Sequence, residues 1–360
     1  MNDDVNQVPR SKADPIEPDL QRYDRQIRFA EFGIEGQRAI RGSSCLIVGC
    51  GALGSVLANT LCRAGVGNLR IVDRDFLERN NLQRQVLFDE HDVDAGLPKA
   101  IAAANRLRQI NSQVTIDPIV ADVSNKNIST LMDGIGVIVD GTDNFETRFL
   151  LNDASIKFGI PWVYGGCIGS EGQTMTILPG QTACLRCLML DGPPPPGTTA
   201  TCDSAGILGP IINVIASIEA CEALKILAGK LDDVSRSLTV VDLWSNQFRS
   251  IDLSKLRSAV DCPACQQNQL DWLDGRQGSQ SVVMCGRNAV QLSFPEQESI
   301  SLEALESKLE SVSNVSRNRF LLRFQVDGVT VTAFPDGRAI ISGTEDVSLA
   351  KTIYAKFIGN

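Results

Sequence analysis

The stretch Val48-Gly49-Cys50-Gly51-Ala52-Leu53-Gly54, followed by Asp73-Arg74-Asp75 and then Asn80-Asn81-Leu82-Gln83-Arg84-Gln85, decides the fold of this chain. Ser44 to Val48 is a short apolar run of strand type. Gly49, Gly51 and Gly54 have the G-x-G-x-x-G spacing that lets a backbone turn tightly and bring helix N–H groups against phosphate oxygens. Ser55 to Ala64 repeats Val56, Leu57, Leu61 and Ala64 at helical spacing, and Leu69 to Val72 is a second buried strand that ends on Asp73. A carboxylate there can hold a ribose hydroxyl. The glycines alone predict only a nucleotide.

Working outward, strands and helices go on alternating. Lys99–Gln109 is an Ala-rich helix, Val114–Val120 and Val137–Asp140 are strands, and the helix Phe145–Phe158 leads into the strand Trp162–Tyr164. The pattern predicts an α/β, Rossmann-like nucleotide-binding fold whose sheet is mostly parallel, with ligands gathered at the carboxyl ends of its strands. Asp73 and Asp140-Gly141-Thr142-Asp143-Asn144 both fall at such ends. From Gly172 the strands Gln173–Leu178, Leu238–Leu243 and Phe248–Leu253 follow one another in antiparallel fashion around the long apolar helix Pro210–Ala228. Leu190–Thr201, with Pro193 to Pro196 in a row, is expected to be an exposed, mobile connection.

The expected domains are a disordered arm at 1–20, a nucleotide-binding domain at 21–266, a linker at 267–280 within the polar stretch Gln266–Gln280, and a small α+β module at 281–360. The module offers strands near Val282–Met284, Ala289–Leu292, Phe320–Phe324, Val329–Phe334 and Ala339–Ile341, and helices near Leu302–Leu309 and Val347–Phe357.

A net charge of −9 argues against nucleic acid or an anionic membrane as the main ligand. The first twenty residues lack the apolar core of a signal peptide, and no run reaches transmembrane length, so a cytoplasmic place is expected. The single histidine, His91, sits in the acidic stretch Asp89-Glu90-His91-Asp92, where a solvated loop is expected; its being alone excludes multi-His metal sites, and its setting argues against Ser–His chemistry. Of eleven cysteines, Cys45, Cys50, Cys62, Cys167 and Cys221 lie on apolar strands or helices and are expected in the core.

Cys184-Leu185-Arg186-Cys187 and Cys262-Pro263-Ala264-Cys265 are C-x-x-C pairs, and two such pairs complete a tetrahedral Cys₄ zinc site that clips distant segments together. Cys202 follows the proline run and precedes a helix whose N-terminal field would lower a thiol's pKa; it is either a reactive thiol or a small packed residue. A triphosphate with its metal wants extra cations and a carboxylate, and Arg84, Lys99 and Asp143 are suitably placed for that. Singly, each has a plainer explanation: Arg84 and Lys99 as surface charges, Asp143 as a helix N-cap.

Together these motifs carry a resemblance. Arg22-Tyr23-Asp24-Arg25-Gln26, the Gly49–Gly54 loop, Ala64-Gly65-Val66-Gly67, Asp73-x-Asp75, Asn81-Leu82-Gln83-Arg84-Gln85, Gly96-Leu97-Pro98-Lys99, Thr142-Asp143-Asn144 and the paired C-x-x-C motifs make residues 22–266 similar to the MoeB/ThiF/HesA family. These are adenylyltransferases related to ubiquitin-activating enzymes. The resemblance implies ATP-dependent adenylation of the C-terminal glycine carboxylate of a small ubiquitin-like carrier ending in Gly-Gly, with release of pyrophosphate and, in sulfur-carrier systems, later conversion to a thiocarboxylate. By position it implies nucleotide binding by Gly49, Gly51, Gly54, Asn80, Asn81 and Asn144, ribose contact from Asp73, phosphate contact from Arg84 and Lys99, and Mg²⁺ on Asp143. It further implies Arg25 reaching into the neighbouring subunit of a homodimer, sulfur transfer or a covalent carrier link at Cys202, and a sulfur-donor protein as a further partner.

The physical logic agrees with the histidine count. A terminal carboxylate has a pKa of about 3.5 and is already ionised at neutral pH, so no general base is needed. What the reaction needs is charge neutralisation and alignment. The module after residue 280 is too short for an appended rhodanese domain, and its one cysteine, Cys285, sits at its start. Carrier or partner docking, or a structural add-on, is expected of it. An NAD-dependent oxidoreductase and a non-catalytic nucleotide-binding module are the competing interpretations; Arg84, Lys99 and Asp143, and the lack of an evident acid–base pair for hydride transfer, stand against the first.

Overall fold

The computed structural model describes residues 17–194, 205–277, 281–284, 288–292, 300–309 and 315–359. Eight strands form one sheet in the order β3-β2-β1-β4-β5-β6-β7-β8: β1 Ser44–Val48, β2 Asn68–Val72, β3 Thr115–Ile119, β4 Val137–Asp140, β5 Trp162–Ile168, β6 Glu171–Ile177, β7 Ser237–Asp242 and β8 Gln247–Asp252. The first five pair in parallel and the last three antiparallel, as the change of pattern near Gly172 predicts. Parallel strands covered on both faces read as unbroken apolar runs, and Cys45, Leu46, Ile47, Val137, Ile138 and Val139 are fully buried. The helices Ala52–Ala64, Lys99–Ile110 and Gly209–Leu227 pack on one face of the sheet, and Phe145–Phe158 packs on the other. Strand order reverses between β1 and β4, and that switch point opens the crevice in which a ligand of this fold binds.

Several expectations are corrected in detail. His91 lies on a single helical turn, Glu90–Asp94, capped by Asp89, and not in a loop, although it is exposed. Cys221 is exposed: on the Gly209–Leu227 helix it shares with Asn213 and Ser217 the one stripe that faces away from the sheet. Of the arm expected at 1–20, residues 1–16 lie outside the described residues. Pro18–Tyr23 forms a 3₁₀ turn with Leu20 fully buried, and Glu17 pairs with Arg38. The Gln266–Gln280 stretch is tied down over much of its length: Leu270 is buried, Trp272 packs on Phe149, and the Trp272 amide donates to Asp153. The segment 195–204, which holds most of the proline-rich connection and Cys202, lies outside the described residues.

The C-terminal module is a six-stranded antiparallel sheet in the order β11-β12-β13-β14-β10-β9, with β9 Ser281–Met284, β10 Ala289–Leu292, β11 Val315–Arg317, β12 Leu322–Val326, β13 Val329–Ala333 and β14 Ala339–Ser342. The helices Leu302–Leu309 and Val347–Phe357 contribute Leu305, Leu309, Ile353 and Phe357 to its own core. Among the described residues no helix is long and apolar enough to cross a membrane.

Candidate functional site

The glycine loop closes against the end of β4. Gly49 has φ +83°, and its amide donates to the Val72 carbonyl oxygen. A methyl group on Gly54 would lie 1.9 Å from the Gly49 carbonyl oxygen, and one on Gly141 would lie 2.3 Å from the same atom. The two loops flanking the switch point therefore touch backbone to backbone, which only glycine permits. Gly51 differs: around the place a Cβ would take, the nearest atom is Gln85 Nε2 at 3.8 Å. The helix that starts at Ala52 has no side-chain cap, so its first N–H groups face this space.

Asp73 stands beside that space. Its Oδ2 accepts from the Cys50 amide and its Oδ1 from the Asp75 amide, both at 2.6 Å. Burial raises its pKa; the nearby Lys99 ammonium opposes this and the Asp75 carboxylate adds to it. Lys99 is not a surface charge: it is 3 % exposed, and its ammonium lies 3.1 Å from Asp75 Oδ2. Arg74, between the two acids, pairs with Asp122 at 2.8 Å. Burial pulls its pKa down, but Asp122, Asp75 and Asp143 outweigh this and raise it. Asp143 is thus within electrostatic reach of Arg74, which sits between Asp73 and Asp75 of the cradle that these acids form with the Gly49–Gly54 loop and Lys99. It is exposed, a hard oxygen donor at the carboxyl end of β4.

The remaining loop residues sort by what they hold. Asn144, and not Asp143, caps the Phe145–Phe158 helix, its Oδ1 accepting from the Thr147 amide. Asn81 is buried and belongs to a capping box with Glu78, so it shapes the turn. Asn80 is exposed, and Arg84 donates to its carbonyl oxygen at 2.8 Å. Two residues of this region carry no role in the sequence reading. Gln85 is buried beside Gly51 with an Oε1 that meets no hydrogen-bond donor among the described residues. Arg148, also buried, donates to the carbonyl oxygens of Thr142 at 2.8 Å and Gly165 at 2.9 Å and lies 3.4 Å from Asp140 Oδ2. An arginine set just before the apolar run Phe149-Leu150-Leu151 was the available signal. Arg148 pins the Asp140–Asp143 loop from below. Beside it Glu219 is fully buried, and burial together with the Asp140 charge raises its pKa, against the Arg148 guanidinium.

Arg25 is not brought to this cradle. It is exposed on the short helix Asp24–Ile27, whose neighbour Gln26 donates to the Ala64 carbonyl oxygen at 3.0 Å, and Tyr23 packs at Gly65. That is the far end of the Ala52–Ala64 helix, about 18 Å from the glycine loop at 1.5 Å per residue.

The four paired cysteines do meet. Cys184 Sγ lies 3.7 Å from Cys187 Sγ and 3.7 Å from Cys262 Sγ, and Cys187 Sγ lies 3.5 Å from Cys265 Sγ. Tetrahedral zinc–thiolate geometry places sulfurs roughly 3.8 Å apart, so the cluster has the dimensions of a metal site. Asn152 fixes one pair by accepting from the Leu185 amide, while Asp153 accepts from Trp272 and Leu273 just beyond the other.

Residues 23–264 match the ThiF family. The chain is 43 % identical over 340 residues to the sulfur carrier protein ThiS adenylyltransferase of Bacillus subtilis strain 168, covering 94 % of this chain and 99 % of that one. It is 38 % identical over 255 residues to the SAMP-activating enzyme E1 of Haloferax volcanii, covering 71 % and 92 % respectively. Among solved structures, MccB of E. coli with ATP superimposes with a TM-score of 0.57 at 20 % identity, over 68 % of this chain and 73 % of that one, which shows a shared fold. The chain belongs to the ThiF family.

Proposed function

We propose that this protein adenylates the C-terminal glycine carboxylate of a small ubiquitin-like carrier that ends in Gly-Gly, using ATP and releasing pyrophosphate. The observation that carries this is the cradle itself: an uncapped helix N-terminus beside Asp73, with the buried Lys99 held by Asp75 and with Asp143 within electrostatic reach of Arg74. The relatives named for ThiS adenylylation and SAMP activation support the same reaction. Asp73 would take the ribose hydroxyls, the helix N–H groups and Lys99 the phosphates, with Arg84 turning from its carbonyl contact to join them. The carrier carboxylate attacks the α-phosphorus, the bond to the β-phosphate oxygen breaks, and pyrophosphate leaves. The chain's cations hold two anions in line and neutralise the leaving group, which is where such a reaction gains most. Asp143 would hold Mg²⁺, which when bound neutralises phosphate charge.

Arg25 serves the partner's site in a homodimer, a role supported by its exposure and its distance from its own cradle. The Cys184, Cys187, Cys262 and Cys265 cluster holds structural zinc. Cys202 contributes to sulfur transfer from a donor protein or to a covalent carrier link. The carrier lies against the β7–β8 end of the sheet, where Trp244 and Phe248 are exposed on the turn after β7 and on edge strand β8, with Asp242 of β7 paired to Glu171 of β6 at the site end. The test is carrier-dependent ATP–pyrophosphate exchange with Mg²⁺, followed by mass spectrometry of the carrier; no exchange with any Gly-Gly carrier from the same cell overturns the proposal. Cys202→Ala in the same assay separates adenylation, which it leaves intact, from thiocarboxylate formation, which it stops.

A further inference from the structure

The C-terminal module touches the nucleotide-binding domain at three described points, and each leads to the cradle. Phe334, in the turn after β13, stacks on Phe76 with ring centroids 5.5 Å apart. Gln291, buried on β10, donates to Asp122 Oδ2 at 3.1 Å, the same carboxylate oxygen that accepts from Arg74. Asn318, in the turn after β11, donates to the Gly96 carbonyl oxygen at 3.3 Å. Phe76 follows Asp75 and bridges to Pro98, the residue before Lys99, and the Lys99 amide donates to the Asp75 carbonyl oxygen at 2.9 Å. The Phe334 turn is itself stiff. Arg338 lies over the Phe334 ring at 4.7 Å and pairs with Asp336 at 2.6 Å, and Tyr354 bonds the Gly337 carbonyl oxygen.

We propose that this module braces the nucleotide cradle, with Phe334, Gln291 and Asn318 as positioning residues that act through Phe76, Asp122 and Gly96 to hold Asp75, Arg74 and Lys99. The inference rests on the adenylation proposal for its consequence in catalysis, but not for its geometry. A domain that merely shared a linker would not need contacts on three separate segments that converge on one ion pair. A brace of this kind acts on ATP affinity: an unbraced Lys99 segment samples positions that do not meet the phosphates, and the competent fraction falls.

The test uses the full chain with Phe334→Ala, and with the pair Gln291→Met and Asn318→Asp, which removes the donor to the nucleotide-binding domain at each point while the new carboxylate still accepts from the Phe320 and Leu321 amides. Lys356→Ala, on the exposed Lys356–Asp327 pair within the module, is the control. Two readouts are taken. Hydrogen exchange at the amides of residues 75, 76, 96, 97 and 99 should speed up roughly tenfold in both test proteins while strands β12 to β14 stay protected, and should not change in the control. In pyrophosphate exchange, KM for ATP should rise roughly five-fold or more, with the rate at saturating ATP and KM for the carrier within two-fold of the parent. Unchanged exchange at Lys99 and unchanged KM for ATP with the module still protected overturn the brace. If the parent protein catalyses no pyrophosphate exchange, the functional proposal fails, and hydrogen exchange still decides the brace. Should Phe334→Ala unfold the module, the Gln291→Met and Asn318→Asp pair decides it.

Discussion

The Lys99 ammonium lies 3.1 Å from Asp75 Oδ2, and the Lys99 backbone amide donates to the Asp75 carbonyl oxygen at 2.9 Å, so side chain and main chain fix the same two residues against each other. Lys99→Met removes the cation and leaves a largely buried carboxylate without it. Breaking a buried pair from one side costs about 3 kcal/mol, and losing one preorganised charge on the phosphates costs on the order of a hundredfold in rate. Thermal unfolding and pyrophosphate exchange measure the two effects; a Lys99→Met protein with parental rate would remove Lys99 from the phosphate site.

Gly51 and Gly54 should respond differently to the same methyl group. In Gly54→Ala the new Cβ meets the Gly49 carbonyl oxygen at 1.9 Å, so the loop cannot close and the protein loses stability or fails to fold. In Gly51→Ala the new group meets nothing closer than 3.8 Å, so the fold survives while the space for phosphate is narrowed. Expected are a parental melting temperature and a KM for ATP raised roughly tenfold or more. Equal loss of stability in both would show that Gly51 is structural too.

How much of this was legible beforehand depends on what each residue answers to. The parallel half was plain because its strands are buried on both sides and the glycine spacing is a backbone requirement. β5 and β6 run longer than expected because Gly165, Gly166 and Gly172 interrupt the apolar pattern. The reason for two of them is tertiary: a Cβ on Gly165 would lie 1.9 Å from Glu219 Oε1, and one on Gly172 2.4 Å from Ile215 Cγ1. The Gly33–Arg41 helix was missed, since Ile34 and Ile40 are its only large apolar residues. In the site, the motif residues were visible, but their division of labour was not. That Lys99 is buried on Asp75, that Asn144 caps and Asp143 is left exposed, and that Arg148 pins the loop all depend on segments far apart in sequence. Cys221 was misjudged because hydrophobicity was weighed along the helix and not around it; at i+4 from Ser217 it falls on the outer stripe.

Asp153 gives the fold a pH signature. Burial raises its carboxyl to about 6, against the opposing amides of Trp272 and Leu273, while an unfolded chain leaves an aspartate near 4. The folded state therefore binds the proton more tightly. The stabilisation is fully present below about pH 4 and is lost as pH rises through 6. Asp153→Asn keeps an acceptor for both amides and carries no charge, so at pH 7.5 it should be the more stable protein by roughly 2 kcal/mol, with the gap shrinking as pH falls to 5. Melting curves across that range measure it; a gap independent of pH would place the cause elsewhere.

Stripping the metal from the cysteine cluster should lower the melting temperature by about 5 °C or more, and Cys262→Ser should reproduce the loss without chelator. Elemental analysis of the purified protein is expected to give one zinc per chain. A Cys262→Ser protein with full metal content and parental melting would rule out the four-thiol site.

Trp244→Ala should raise KM for the carrier several-fold, because an aromatic residue this exposed gives an interface much of its contact, and should leave KM for ATP unchanged. Trp244 is 83 % exposed, so little cost in folding is expected. If both constants stay at parental values, the carrier seats elsewhere.

The two C-x-x-C pairs stand at the roots of a single excursion of the chain, from Met189 out through the Gly209–Leu227 helix and the β7–β8 hairpin and back to Asp261. A knot tied there closes that excursion at its neck. A change of length between the two roots then leaves Cys184, Cys187, Cys262 and Cys265 together at the neck, away from the glycine loop and its strand ends.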